Sequence, residues 1–147
     1  MKETAFFKLR HVLGSNHIAS KRASVNKYYR PDLTIADSIN TVRMIIELES
    51  STSRKGLVGA VIKAEKYSVD LGCRPLLIIV LHQRTNTTID SVGEQIRHYF
   101  QWIKSMRLRG YGLCKVAIIA DKEYRASCEK GEVIGSDSFL SRCRICA

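Results

Sequence analysis

Two carboxylates sit two residues apart in Ile45-Ile46-Glu47-Leu48-Glu49, and Asp32 opens another apolar segment fifteen residues before Glu47. In an extended chain alternate side chains share a face, so Glu47 and Glu49 project together, roughly 7 Å apart at the backbone. If the strand beginning at Leu33 folds back on the strand beginning at Val42, Asp32 arrives beside Glu47. Three carboxylates on one surface repel one another unless a cation compensates. A small set of oxygen ligands, completed by water, suits Mg2+ or Mn2+. Such an ion polarises a phosphodiester oxygen and lowers the pKa of a bound water. The same residues also fit a plainer arrangement, with both glutamates on the solvent face of an edge strand and Asp32 in a turn.

The elements that must position these groups follow from hydrophobic spacing. Glu3 to Leu13 predicts a helix packing through Phe6, Phe7, Leu9 and Leu13, broken by Gly14-Ser15-Asn16. Lys21 to Lys27 reads as a basic loop. Val25–Tyr29 and Leu33–Ala36 read as short strands around Pro31, and Asp37-Ser38-Ile39-Asn40 is turn chemistry. Val42–Glu49 alternates, with Val42, Met44, Ile46 and Leu48 on one face and Arg43, Ile45, Glu47 and Glu49 on the other. Hydroxyl-rich Ser50–Ser53 leads into a helix over Lys55–Leu71, with Leu57, Val58, Val61, Ile62 and Ala64 inward and Lys63, Glu65 and Lys66 outward. Gly72 ends it.

Pro75–Leu81 is apolar on both faces, as in a central strand covered by helices. Ile89–Met106 predicts a long helix with an inward stripe of Ile89, Val92, Ile96, Tyr99, Ile103 and Met106. Arg97, Lys104, Arg107 and Arg109 belong to its solvated side. Lys115–Ala120 is a further buried strand, and the chain from Lys122 on is weakly patterned. The expectation is one domain over residues 1–147, of α/β class, with a mixed central sheet flanked by helices.

Composition narrows the partners. The 147 residues are 45% hydrophobic and 26% charged, ordinary for a folded domain, and the formal net charge is +10. Excess positive charge favours polyanions such as nucleic acids, and a generally basic, solvated surface accounts for it equally well. The amino-terminal segment lacks the apolar run of a signal peptide, and no stretch is long enough to span a membrane, so a cytoplasmic protein with no membrane partner is expected. An odd number of cysteines, five, fits reduced thiols better than a disulfide framework, with Cys73 and Cys114 bordering or entering buried segments. Cys143-Arg-Ile-Cys146 with Cys128 has the inner spacing of a zinc site but lacks a second C-x-x-C pair. His11, His17, His82 and His98 share no metal spacing, although His82 follows a buried strand and lies within reach of a cleft.

Pro31-Asp32, a strand, Glu47-Leu48-Glu49 and a following helix together resemble the PD-(D/E)XK nuclease superfamily over roughly Glu3 to Ala120. The resemblance implies a restriction-endonuclease-like αβββαβ core and Mg2+-dependent (or Mn2+-dependent) hydrolysis of DNA phosphodiesters. It implies Asp32, Glu47 and Glu49 as catalytic residues, and Asp32, Glu47 and Glu3 as metal ligands, Glu3 resembling the acidic residue that many members carry on the first helix. Glu49 stands where the family usually has lysine, an E-x-E variant found in some type II restriction enzymes. The lysine is then expected from the next helix, at Lys55 or at Lys63, which begins Lys63-Ala-Glu-Lys-Tyr67, similar to the Q-x-x-x-Y helix of RecB-type members. Gln95-Ile-Arg-His-Tyr99 repeats that spacing on the wrong helix.

Arg30, Ser53, Arg54 and Lys55 are candidates for gripping DNA phosphates, the last three at a helix N-terminus, where capping and solvated charge explain them equally well. Paired cuts on duplex DNA would favour a homodimer. The competing expectations are a catalytically silent nucleic-acid-binding module of the same fold and a basic assembly subunit.

Overall fold

The computed structural model describes residues 1–21, 28–50, 53–84 and 87–147. Its elements are α1 (Glu3–Lys8), β1 (Ile18–Lys21), β2 (Leu33–Ala36), β3 (Val42–Glu49), α2 (Arg54–Leu71), β4 (Leu76–Leu81), α3 (Ile89–Ser105), β5 (Lys115–Ala120), α4 (Asp121–Glu129), α5 (Asp137–Leu140) and β6 (Arg144–Ile145). Among the described residues the strands form one six-stranded sheet in the order β1-β2-β3-β4-β5-β6. β1, β2 and β3 run antiparallel, β3, β4 and β5 parallel, and β6 antiparallel to β5. This is a mixed α/β architecture, an open sheet with helices on both faces.

The central strand explains the layering. All six residues of β4 are buried, so both faces need cover, and each fully buried Leu, Ile or Val contributes roughly 1.5–3 kcal/mol. On one face Leu57, Val61 and Ala64 of α2 and Val92, Ile96 and Phe100 of α3 pack on Ile45, Leu77, Ile79, Leu81, Val116 and Ile118. On the other, Phe6 of α1, Tyr124 and Cys128 of α4 and Phe139 of α5 pack on Leu33, Ile35, Ile46, Ile78, Val80 and Ile119.

The β2–β3 hairpin is pinned by one side chain. Asp37 Oδ1 accepts from the N–H groups of Ile39 (3.1 Å) and Thr41 (2.9 Å), while Oδ2 accepts from Arg43 Nε at 2.7 Å. Asn40 takes the left-handed conformation that closes the turn, with φ 62°. At the other end of α2, Gly72 (φ 63°) stops the helix in the same conformation.

Several expectations need correction. The first helix stops at Lys8 rather than Leu13. The expected loop over Lys21–Lys27 lies outside the described residues except for Lys21, which ends β1. Of the expected strand Val25–Tyr29, residues 25–27 lie outside the described residues, Tyr28 is in a turn and Tyr29 forms a single β-bridge; the edge strand among the described residues is Ile18–Lys21. In β3 the alternation breaks at Arg43, because Ile35 pairs with Met44 and Ala36 with Val42; Val42 therefore packs with the α2–α3 side.

Ile62 is half exposed, whereas Glu65 is buried. In α3 the inward stripe runs Val92, Ile96, Phe100 and Ile103, leaving Tyr99 and Met106 exposed. Arg107 is not solvated: its Nε and an Nη nitrogen bind the Glu65 carboxylate at 2.6 and 2.7 Å, and it also donates to the Leu113 carbonyl. Gly112 is required here, since its φ is +124° and an added Cβ would meet Glu65 Oε1 at 2.4 Å.

All five cysteines are free thiols, and Cys114 is exposed. Cys143 packs with Cys128 on one face of the sheet and Cys146 lies in the core of the other, so the C-x-x-C pair is split by β6. Burial pushes the thiol of Cys128 up to about 11 and those of Cys143 and Cys146 up to about 12, the opposite of what thiolate ligands need.

Candidate functional site

Leu33 pairs with Ile46, and continuing that antiparallel register one step brings Asp32 opposite Glu47. The contact is reciprocal. The Asp32 N–H donates to Glu47 Oε2 at 3.3 Å, and the Leu48 N–H donates to Asp32 Oδ2 at 2.8 Å. Pro31, buried just upstream, has no N–H to satisfy and presets the extended entry to β2. The juxtaposition of Asp32 and Glu47 therefore follows from strand alternation and the Asp37 turn.

Glu47 is 9% exposed and faces the α2–α3 side, where it lies beside the Tyr29 hydroxyl. Tyr29 is itself buried and packs edge-on against Tyr67 of α2, the ring centroids 5.7 Å apart. Burial pushes the Glu47 carboxyl up to about 7; the neighbouring Tyr29 hydroxyl opposes this and the Asp32 charge adds to it. Burial likewise pushes the Tyr29 phenol up, with Glu47 reinforcing the effect. Glu49, two residues on, is raised by burial and by Asp32, against the pull of Lys63. Asp32, Glu47, Glu49 and Lys63 thus form one electrostatic neighbourhood.

Asp32 also lines a cleft of about 680 Å³ on the other side, with Glu3, Leu48, Ser50, His82 and Arg84. Glu3 is exposed on α1 and shares that cleft with Asp32, while Glu47 is not among its walls. Among the described residues no three His, Cys, Asp or Glu side chains are grouped so as to hold a metal ion. Asp32 and Glu47 offer oxygen donors only, one of them buried beside a like charge, which is chemistry that fits Mg2+ or Mn2+ better than a softer metal.

The remaining candidates are dispersed. Arg30 is exposed near Asp32 in sequence, and Ser53, Arg54 and Lys55 are exposed at the start of α2. The Ser53 carbonyl accepts from the Leu57 N–H at 3.0 Å, the first turn of that helix. Ser51 and Thr52 lie outside the described residues.

Sequence reasoning missed Tyr29, whose position three residues before Asp32 carries no recognisable spacing. It also missed the contact between His82 Nδ1 and Asp121 Oδ2, 2.8 Å apart, which the Met1 amino group joins. One signal was available. His82 and Asp121 each follow directly on an apolar strand, and in α/β sheets the ends of parallel strands are where ligands collect. None of the helices among the described residues is long and apolar enough to cross a membrane. Comparison with known proteins found no matching family model, no matching curated protein and no matching solved structure.

Proposed function

We propose that this protein is a metal-dependent DNA endonuclease of the PD-(D/E)XK kind, hydrolysing phosphodiesters through Asp32, Glu47 and Glu49 with help from Lys63. The observation that carries the reading is the Asp32–Glu47 pair, an ionisable carboxyl buried against a second acid where β2 meets β3. Burying like charges together costs stability, and proteins retain such arrangements mainly where they are used. The chain order α1, β1, β2, β3, α2, β4 supports the same reading, as does the net charge of +10.

Each residue has a defined task. Asp32 and Glu47 would hold Mg2+ or Mn2+, whereas Glu3 shares a cleft with Asp32 but not with Glu47. The ion supplies Lewis-acid polarisation of the phosphodiester and a more acidic water. Glu49, with its raised pKa, accepts a proton near neutral pH more readily than an exposed glutamate does. Lys63 places a positive charge beside Glu49, in the neighbourhood where the family usually carries its motif lysine.

A second reading, a silent DNA-binding module, is favoured by Glu49 standing in the lysine position and by the lack of a ready three-ligand group among the described residues. Incubation with supercoiled, branched and single-stranded DNA in Mg2+, Mn2+ or EDTA separates the two. The nuclease reading expects nicking or linearisation that needs the divalent ion and disappears in Asp32→Ala and Glu47→Ala. Linear product from single encounters would indicate that the working form is a homodimer. DNA binding without cleavage in any metal would select the silent module.

A further inference from the structure

We infer that the rim beyond β4 and β5 carries a phosphate-binding subsite, built on Arg84 and Lys122, that grips nucleic-acid backbone next to the acidic pair. The inference rests on the nucleic-acid side of the function proposed above and extends it to residues outside the acidic motif and the α2 N-terminus.

The geometry starts from register. Glu49 pairs with Leu81, and Leu81 with Ala120, so the parallel strands β3, β4 and β5 end at one level. The residues that follow, His82 and Asp121, stand side by side, and the His82 N–H donates to the Glu49 carbonyl at 2.9 Å. Arg84 lines two adjoining depressions. One is the cleft holding Asp32 and Glu3; the other, about 320 Å³, is walled by Gln83, Ala120, Asp121 and Lys122. A strand of nucleic acid with one phosphate at Asp32 would run along this cleft toward Arg84 and the depression beyond it.

Charge accounting separates these two cations from the paired arginines. Arg43, Arg97, Arg107, Arg142 and Arg144 are each matched to a carboxylate. Arg84 and Lys122 are exposed and make no ion pair among the described residues. Asp121, which shares the smaller depression with them, is 7% exposed and already engaged by His82 and the Met1 amino group. Among the described residues, therefore, no ion pair answers the two cations of this rim. The second depression has no aromatic wall on which a base could stack, so it recognises backbone rather than sequence.

The test measures binding separately from cutting. Anisotropy of a short labelled DNA duplex is titrated in Ca2+, with NaCl varied, for wild type and for the double variant Arg84→Ala/Lys122→Ala. A control pair, Arg74→Ala/Lys115→Ala, removes the same charge at the opposite ends of β4 and β5. The rim variant should bind about tenfold or more weakly, equally on unrelated sequences, and its salt slope should flatten by about 2. Thermal melting checks that both variants are folded. A rim variant that binds as tightly as wild type, or loses no more than the control pair, overturns the subsite. So does a wild type that does not bind DNA. Cleavage in Mn2+ is scored in parallel. Weakened rim binding with no wild-type cleavage keeps the subsite and removes the nuclease, whereas normal cleavage and binding by the rim variant removes the subsite alone.

Discussion

Glu47 and Glu65 are buried almost equally, 9% and 8% exposed, in opposite surroundings. Glu65 meets a bidentate Arg107 at 2.6 and 2.7 Å and the Leu113 N–H at 2.7 Å, so its charge is fully answered. Glu47 meets a phenol, a backbone N–H and a second carboxylate. The first arrangement fastens α2 to the segment following α3. The second stores repulsion that a proton or a cation relieves. Burial of an acid is thus no guide to its role; the partner is. A satisfied charge belongs to the architecture, and an unsatisfied one is the kind of group from which functional sites are built.

The largest effect should come from breaking the satisfied pair. Glu65→Gln leaves the Arg107 guanidinium buried without a counter-charge, a loss of about 3–5 kcal/mol. In a domain of this size that lowers the melting temperature by on the order of ten degrees. Urea denaturation and circular dichroism melts would show it, while metal-dependent cleavage per folded molecule stays at the wild-type level. Stability within 1 kcal/mol of wild type, on the order of a surface pair, would erase the contrast.

Glu47→Gln should act in the opposite direction, and with a pH signature. The folded protein holds the Glu47 proton until about pH 7, against 4.5 for an ordinary glutamate. Below both values Glu47 contributes nothing to the pH dependence. As pH rises from about 4.5 to 7 the unfolded chain ionises first, so stability falls, by up to about 3 kcal/mol, and then levels off. Metal-free wild type should therefore melt higher near pH 5 than near pH 8, and Glu47→Gln should flatten that slope. Mn2+ competes with the same proton, so its stabilisation, roughly 2.7 kcal/mol at a hundred times the dissociation constant, should be greater near pH 8 than near pH 6. A wild type whose stability rises steadily from pH 5 to pH 8, with the same Mn2+ shift in both proteins, would show that Glu47 is not the group under strain.

The smallest effect belongs to Tyr29. Its hydroxyl lowers the Glu47 pKa, so Tyr29→Phe should move the midpoint of the pH–stability curve upward by a fraction of a unit. An unmoved midpoint, read from melts across the same pH range, would assign Tyr29 to packing against Tyr67 alone.

Much of the acidic pair was legible in the chain itself. The bounds of β2, β3 and β5 follow from alternating or continuous apolar residues, and a turn at Asp37–Asn40 is enough to bring Asp32 to Glu47. These are local rules with a period of two, and they survive whatever packs on top. Glu65 was misread because helix periodicity places it on a flank, and its burial depends on Arg107, forty-two residues later, folding back from beyond α3. Tyr29 was invisible for a similar reason, since its role exists only once α2 brings Tyr67 and β3 brings Glu47 around it.

The sequence by itself determined the α/β class, the central strands, the charge and the two acids opposite each other, because each is set by residues close together in the chain. Only the tertiary structure decided that Cys143 and Cys146 fall on opposite faces of the sheet, that Glu3 reaches the cleft of Asp32 while Glu47 turns away from it, and that His82 stands beside Asp121. Those facts depend on how parallel strands are ordered across crossovers of more than twenty residues, where no local spacing rule operates and burial alone selects the neighbours.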